Sequence, residues 1–438
     1  MGGHGTERHK IQLKLRQTVA ITYLSIASPS DGSSTPAALA TESSHATGFR
    51  NVEAPGAREP RATAPSMKRC LSPFQSSKPL PDWWRPLFES SGNGSVFLSP
   101  AWMHTWIATY GAHFEGTWVH WEVDGRVVAG CLLVERVIRV KRIPFRSQFL
   151  NATGHAPLPV PLAEFNDVLS LAGHGDAVAA DLARLLHEQH WSRLVLCGHE
   201  PHGVAARVLD LVAGLQTERI TKTARYVDLA ALAGKPFEST LTGKAGTHVR
   251  RNRREYEERL GQVEVRCAAD LEETLAFFSE MRELHLQRWT DRDKSTTLAA
   301  DVVVGFHHRL IEALFAEGGV EMIRVGNAER AVGFLYNFVA DGKVFVFQTG
   351  FAYEASSKWS PGLLTHALAI EHYRARGLRE YDLLSGDALY KRTLCNGERE
   401  LFWTTVYRDR AWIRVLLAGR RLRNRLKKKT APALAEPA

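Results

Sequence analysis

Val344-Phe345-Val346-Phe347-Gln348-Thr349-Gly350-Phe351 leads to Ser360-Pro361-Gly362-Leu363-Leu364, and Asp382-Leu383-Leu384-Ser385-Gly386-Asp387 then runs to Tyr390-Lys391. The first run reads as an apolar strand and the last as a second strand. Between them the spacing predicts a helix, with Leu363, Leu364, Ala367, Leu368 and Ile370 on helical positions and Arg374, Arg376 and Gly377 as stop signals. Ser360 is a preferred cap, Pro361 loses no needed hydrogen bond at the first helical position, and Gly362 lets a ligand approach the backbone. A helix start of this kind offers amide donors and the positive end of the helix dipole, which suit a pyrophosphate. The plain alternative is an ordinary capped core helix.

The order of these pieces resembles the C-terminal signature of the CelD/BcsL-type acetyltransferases, a branch of the GNAT superfamily related to FemAB proteins. The likeness extends backward. Phe97-Leu98-Ser99-Pro100-Ala101-Trp102 followed by Trp106 resembles the opening of that family, and Arg250-Arg251-Asn252-Arg253-Arg254 resembles its central basic helix. It covers most of residues 80–408. The resemblance implies direct acyl transfer from acetyl-CoA or another acyl-CoA to an amine or hydroxyl of a cell-envelope or exopolysaccharide-related acceptor. Gly350, Phe351, Ser360, Pro361, Gly362 and Leu363 would then hold the donor.

Acyl transfer from a thioester requires a deprotonated acceptor, a stabilised oxyanion and a protonated leaving thiolate. Asp382, closing an apolar strand, is the candidate base, because burial raises a carboxylate pKa; a structural acceptor is its other reading. Tyr390 is the candidate acid for the thiolate. Lys391 would bind phosphate or orient an acceptor carboxylate, and Gln348 the acceptor or the pantetheine amides. Arg250, Arg251, Arg253 and Arg254 are candidate phosphate or tRNA contacts, as in Fem-type enzymes, and make aminoacyl-tRNA-dependent transfer the alternative function. A non-catalytic scaffold is a third reading. Four-residue spacing to Glu255, Glu257 and Glu258 instead favours a salt-bridged solvent face.

The same element order appears twice. A turn at Asp124-Gly125, a strand through Gly130 and a later strand ending at Gly198 precede a turn at Gly326-Asn327, a strand through Gly333 and the strand ending at Gly386. The expected fold is mixed α/β, α+β with a mixed sheet, as tandem GNAT-like acyltransferase folds rather than one large sheet. Residues 1–66 form a low-complexity extension expected to be disordered, with Met67 as a candidate start. Residues 67–230 form the N-terminal half, 231–410 the catalytic half and 411–438 a basic tail. Only the second half has Ser-Pro-Gly; in the first, Gly154 to Pro161 is proline-rich and reads as a loop forming a wall of the acceptor cleft. Trp102, Trp106, Trp118 and Trp121 are expected in the core.

Charge excludes a general nucleic-acid binder. The net charge is +9 over 438 residues, but residues 1–66 hold seven basic and five acidic residues and 408–429 ten basic and one acidic. With Glu436 counted, 67–407 sum to −1. Five scattered cysteines without a C-x-x-C pair fit a reducing cytosol, with Cys131 and Cys197 as core and Cys395 as the one near Tyr390. No metal is implied, because His307-His308 lacks a third ligand at useful spacing. No apolar run is long enough to span a membrane, so the chain is expected to be cytoplasmic. Trp412, Ile413, Val415, Leu416 and Leu417 interleave with arginines in a helix suited to peripheral contact at the inner face of the membrane, or in a solvated tail.

Overall fold

Two runs of strands and helices with the same plan build the chain. The computed structural model describes residues 67–140, 143–154, 158–212, 216–232, 234–241, 243–290, 296–354 and 359–419. The low-complexity extension 1–66 and the end of the basic tail lie outside them.

The first run has β1 (Lys68–Pro73), α1 (Trp84–Ser90), α2 (Pro100–Tyr110), β2 (Glu115–Val123), β3 (Arg126–Val140), β4 (Ile143–Leu150) and the short β5 (Leu169–Ser170). It continues with α3 (Gly175–Glu188), β6 (Arg193–His199), α4 (Val204–Leu211) and β7 (Gln216–Asp228). The second has α5 (Phe237–Thr240), α6 (Gly243–Leu260), β8 (Glu264–Cys267), α7 (Leu271–Thr290), α8 (Asp301–Phe315), β9 (Val320–Gly326) and β10 (Ala331–Ala340). It ends with β11 (Lys343–Phe351), α9 (Pro361–Ala375), β12 (Glu380–Ser385), α10 (Leu389–Leu394) and β13 (Gly397–Tyr407). Thus β2-β3-β4-α3-β6-α4-β7 repeats as β9-β10-β11-α9-β12-α10-β13. Asp124 and Gly125 both take positive φ, 50° and 76°, the geometry of a tight hairpin turn.

The repeat does not give two separate sheets. All thirteen strands among the described residues form one mixed sheet in the order β1-β2-β3-β4-β6-β13-β7-β12-β11-β10-β9-β8, with β5 paired to β3. Its centre is an exchange: β7 pairs antiparallel with β12 of the second half, and β13 with β6 of the first. The exchanged strands pair with each other along all of β13, from Gly397 opposite Tyr226 to Tyr407 opposite Gln216. The contrast between two halves and one large sheet therefore resolves into both at once. The boundary expected at 230 follows β7 in sequence, whereas β7 lies within the second half's side of the sheet.

Aromatic packing joins the halves further. Trp102 on α2 meets Phe306 of α8 at 5.2 Å and Phe338 of β10 at 6.1 Å. Trp102, Trp106, Trp118 and Trp121 are all buried, as are Cys131 and Cys197. Helix 411–419 puts Ile413 and Leu417 into a small core with Phe145 and Tyr407, while Val415 and Trp412 are exposed. Much of the tail's apolar face is thus spent inside the protein. No helix among the described residues is long and apolar enough to cross a membrane.

Candidate active site

Strands β11 and β12 run parallel but pair only from Lys343 opposite Glu380 to Phe345 opposite Asp382. Beyond that point they part. On β11 the register with β10 slips between Tyr336 and Asn337, leaving Phe347 as an extra residue; on β12 the register with β7 shifts between Asp382 and Ser385, with Leu384 at φ 58°. A bulge bends and twists its strand, so two bulges at one level open a V. A cavity of about 1080 Å³ occupies it, lined by Val346, Phe347, Gln348 and Thr349 on one arm and by Leu383, Leu384, Ser385 and Gly386 on the other.

The start of α9 borders the same cavity through Ser360, Pro361, Gly362 and Leu363, with Phe351 beside them. The Ser360 side chain makes no capping hydrogen bond at this helix start. Its position is held from behind by Asn252 of α6, whose Oδ1 accepts from the Ser360 amide at 3.1 Å and whose Nδ2 donates to the Ser360 carbonyl at 3.0 Å. Asn252 is the buried residue inside the arginine run. Of its neighbours, Arg251 pairs with Glu255, Arg253 with Glu257 and Glu238, and Arg254 with Glu258, while Arg250 donates to the Glu238 carbonyl at 3.3 Å. None of the four arginines lines the cavity; His248, earlier on the same helix, does.

Residues 243–392 match the family model described as "Acetyltransferase (GNAT) domain". This segment is similar to GNAT acetyltransferase domains. The chain is an acyltransferase, and the matched segment contains both arms of the V and the helix start. A search of the curated proteins gives no match. Among solved structures, the chain is similar to FemX, with 10% identity over 76% of this chain and 96% of that one and a TM-score of 0.48. It is similar to L-PGS from Bacillus licheniformis at 12% identity, 78% and 97% coverage and a TM-score of 0.45. A tandem GNAT protein from the clavulanic acid biosynthesis pathway matches at 13% identity, 77% and 98% coverage and a TM-score of 0.39.

Within the matched segment, Gln348, Phe351, Ser360, Pro361, Gly362, Leu363, Tyr390 and Lys391 meet at one cavity. Tyr390 stacks on the His366 ring at 4.6 Å, and burial raises its phenol far above the usual value, so it keeps its proton. His366 is pushed by burial, and by nearby Lys391, down to about 3 and stays neutral. Lys391 faces the cavity with its donors already engaged: Nζ donates to the carbonyls of Leu383, Leu384 and Ser385 at 2.7, 3.2 and 2.9 Å. An ammonium has three donors. Lys391 therefore pins the bent end of β12, which accounts for its burial better than a free phosphate contact would.

Two expected ligand neighbours stand off the cavity. Gly350 lies under α7, where a Cβ would come 2.2 Å from the Met281 carbonyl, so its missing side chain serves helix–strand packing. Asp382 is 0% exposed and sits behind the lining. Its Oδ1 accepts from the Leu384 amide at 2.6 Å, and its Oδ2 is 3.7 Å from Arg399. Burial pushes its carboxyl up to about 7 against the opposing pull of Arg399. Burial likewise pushes the Cys395 thiol up to about 12, leaving it protonated.

Charged or titratable lining residues that escape a motif reading include Glu164, Lys222, His248, His285 and Arg288. Glu164 follows the proline-rich stretch of the first half and accepts hydrogen bonds from the Ser385 amide at 2.9 Å and the Ser385 hydroxyl. Lys222 lies on the exchanged strand β7. The first half thus supplies a wall of the cleft, through Val160, Pro161, Leu162 and Glu164.

Proposed function

We propose that the chain is an acyl-CoA-dependent acyltransferase that moves an acetyl or longer acyl group directly to an amine or hydroxyl. The observation that carries this reading is the open V between β11 and β12, with an uncapped helix start at its rim. Beyond Phe345, β11 has no partner strand on the β12 side among the described residues, so an extended pantetheine arm can lie along it and use backbone groups that would otherwise need water. The α9 start, aided by Arg288 and His248, takes the phosphates at the positive end of the helix dipole. Gln348 orients the arm or the acceptor.

The acceptor nucleophile attacks the thioester carbonyl, a bond to carbon forms and the carbon–sulfur bond breaks. Tyr390, protonated at any working pH, gives its proton to the departing thiolate, and the proton that the acceptor loses restores it. Asp382 and Lys391 act by positioning, since both hold the turn at Leu384 and Ser385 that forms one arm. The resemblance to CelD/BcsL-type enzymes is what supports an envelope or polysaccharide-linked acceptor. Ion pairing of Arg251, Arg253 and Arg254 favours acyl-CoA over charged tRNA as donor.

Thermal unfolding of the full chain with acetyl-CoA, longer acyl-CoAs and charged tRNA tests this. A donor at about 100 times its dissociation constant adds about 2.7 kcal/mol. Stabilisation by at least one acyl-CoA and none by tRNA is expected. No shift with any acyl-CoA contradicts the reading, and a shift with tRNA alone replaces the donor.

A further inference from the structure

The cavity has a second wall, built outside the matched GNAT segment: Leu162 and Glu164 from the first half, Ile220 and Lys222 from β7, and Trp403 from β13. Ile220 is the cross-strand partner of Trp403, and Lys222 of Leu401, so the strand exchange sets these side chains on one face. If the V holds the donor, this wall meets the acceptor. Two charges of opposite sign stand on it.

Glu164 is 3% exposed. Ser385 supplies its hydrogen bonds, through the amide and the hydroxyl, and an ionised carboxylate has about four lone-pair sites, so acceptor capacity is left over. The charges felt by Glu164 are those of Lys222 and Lys391, and Lys391 is caged by carbonyls. Burial raises its pKa, the direction that suits a group taking up a proton near neutrality.

Lys222 differs from Lys391 in what its ammonium does. It stands 4.2 Å over the Trp403 ring and, among the described residues, makes no hydrogen bond and no ion pair. Half-buried, it keeps unspent N–H donors facing a cavity, an arrangement that calls for an anionic acceptor atom. Glu164 and Lys222 sense each other's charge yet are not joined by an ion pair. An opposed pair held apart in one wall is complementary to a molecule carrying both charges.

We propose that the acceptor is an amine that also bears an acidic group, with the amine delivered to Glu164 and the acid, carboxylate or phosphate, held by Lys222 over Trp403. This rests on the acyl-CoA reading above. The amine arrives as an ammonium and loses one proton through Glu164 to solvent. The free amine then attacks the thioester carbonyl. Glu164 takes the second nitrogen proton as the carbon–nitrogen bond forms, Tyr390 protonates the departing thiolate, and Glu164 returns a proton to Tyr390. One proton is released per turnover.

The test offers the full chain acetyl-CoA with three pools: the common amino acids, their carboxamides and simple aminoalkyl phosphates. N-acetyl products are followed by mass spectrometry. Acetyl-CoA binding, followed by thermal shift, is read separately. The expected result is acetylation of the amino acids or the aminoalkyl phosphates at least about tenfold faster than of the carboxamides. Which pool reacts decides between carboxylate and phosphate. Lys222→Met is expected to bring the ratio near one, and Glu164→Gln to lower turnover of every acceptor at least about tenfold with the acetyl-CoA shift retained. The proposal is overturned if carboxamides react equally well, if Lys222→Met keeps the preference, or if acetyl-CoA binds and no anion-bearing amine is acetylated. Absence of acetyl-CoA binding sinks the acyl-CoA reading itself.

Discussion

The first half contains the same parallel pair as the second, and there the chain closes it. Strands β4 and β6 pair from Ser147 opposite Arg193 to Phe149 opposite Val195, as many residues as β11 and β12. Where they end, residues 164–168 enter the gap. The Asn166 side chain donates to the Leu150 carbonyl of β4 at 2.8 Å, and its amide donates to the Gly198 carbonyl of β6 at 3.1 Å. Asn151 holds this insert through bonds to the Asn166 side chain and the Asp167 carbonyl. Strand β4 keeps an unbroken register with β3, without the slip seen in β11. One V is thus filled by the protein's own backbone, and the other, bent open on both arms, is left for a ligand. The filling segment also carries Glu164 into the open site, so closing one half helps to furnish the other.

The comparison can be broken at four places. The largest effect is expected at the open helix start. Ser360→Asp places a carboxylate where phosphate is to sit, which should weaken acetyl-CoA binding about 100-fold, since a like-charge clash costs several kcal/mol, while the helix gains a better cap. Calorimetric titration checks this; unchanged affinity would remove the phosphate from α9. Next, Tyr390→Phe should lower kcat at least about tenfold without lowering the unfolding temperature. An unaltered rate would take Tyr390 out of the chemistry.

The filled V should respond in stability. Asn166→Ala takes from the Leu150 carbonyl its Asn166 donor and from the Asn151 side-chain amide one of its two acceptors, the Asp167 carbonyl remaining, at about 1–3 kcal/mol, seen as a lower unfolding temperature with acetyl-CoA affinity unchanged. Equal stability would mean that the insert is dispensable. The smallest effect concerns pH. Asp382 is pushed up to about 7 from the usual 3.8, so between those values the native state holds a proton that the unfolded chain has released. Its contribution to stability therefore falls as pH rises through this window and levels off above it. Asp382→Asn lacks this slope, and the mutant-minus-wild-type difference in unfolding temperature should grow from pH 4 to 7. A constant difference would refute the raised pKa.

The strands, the helix from Pro361 and its start at Ser360 were legible because periodicity and capping are local signals. Gln348, Phe351, Tyr390 and Lys391 were traceable to one site for the same reason: they lie close in sequence to the strand ends. The strand exchange was not legible. Nothing in the local pattern of β7 or β13 names the partner, so Lys222 could not be placed at the cavity that Tyr390 lines. Gly350 shows a subtler limit. A glycine signals close approach of something, and here that is the Met281 carbonyl rather than a ligand. Glu164 lay just past the stretch whose prolines marked a loop, and its role depends on contact with Ser385, 221 residues away in sequence.

Hydrogen–deuterium exchange of the full chain with saturating acetyl-CoA tests most directly whether the open V is the donor site. Slower exchange is expected in 346–351 and 360–365, with no change in 147–151 and 194–199. Protection of the first-half segments, or saturation of binding with no protection around Phe347 and Gly362, would contradict it.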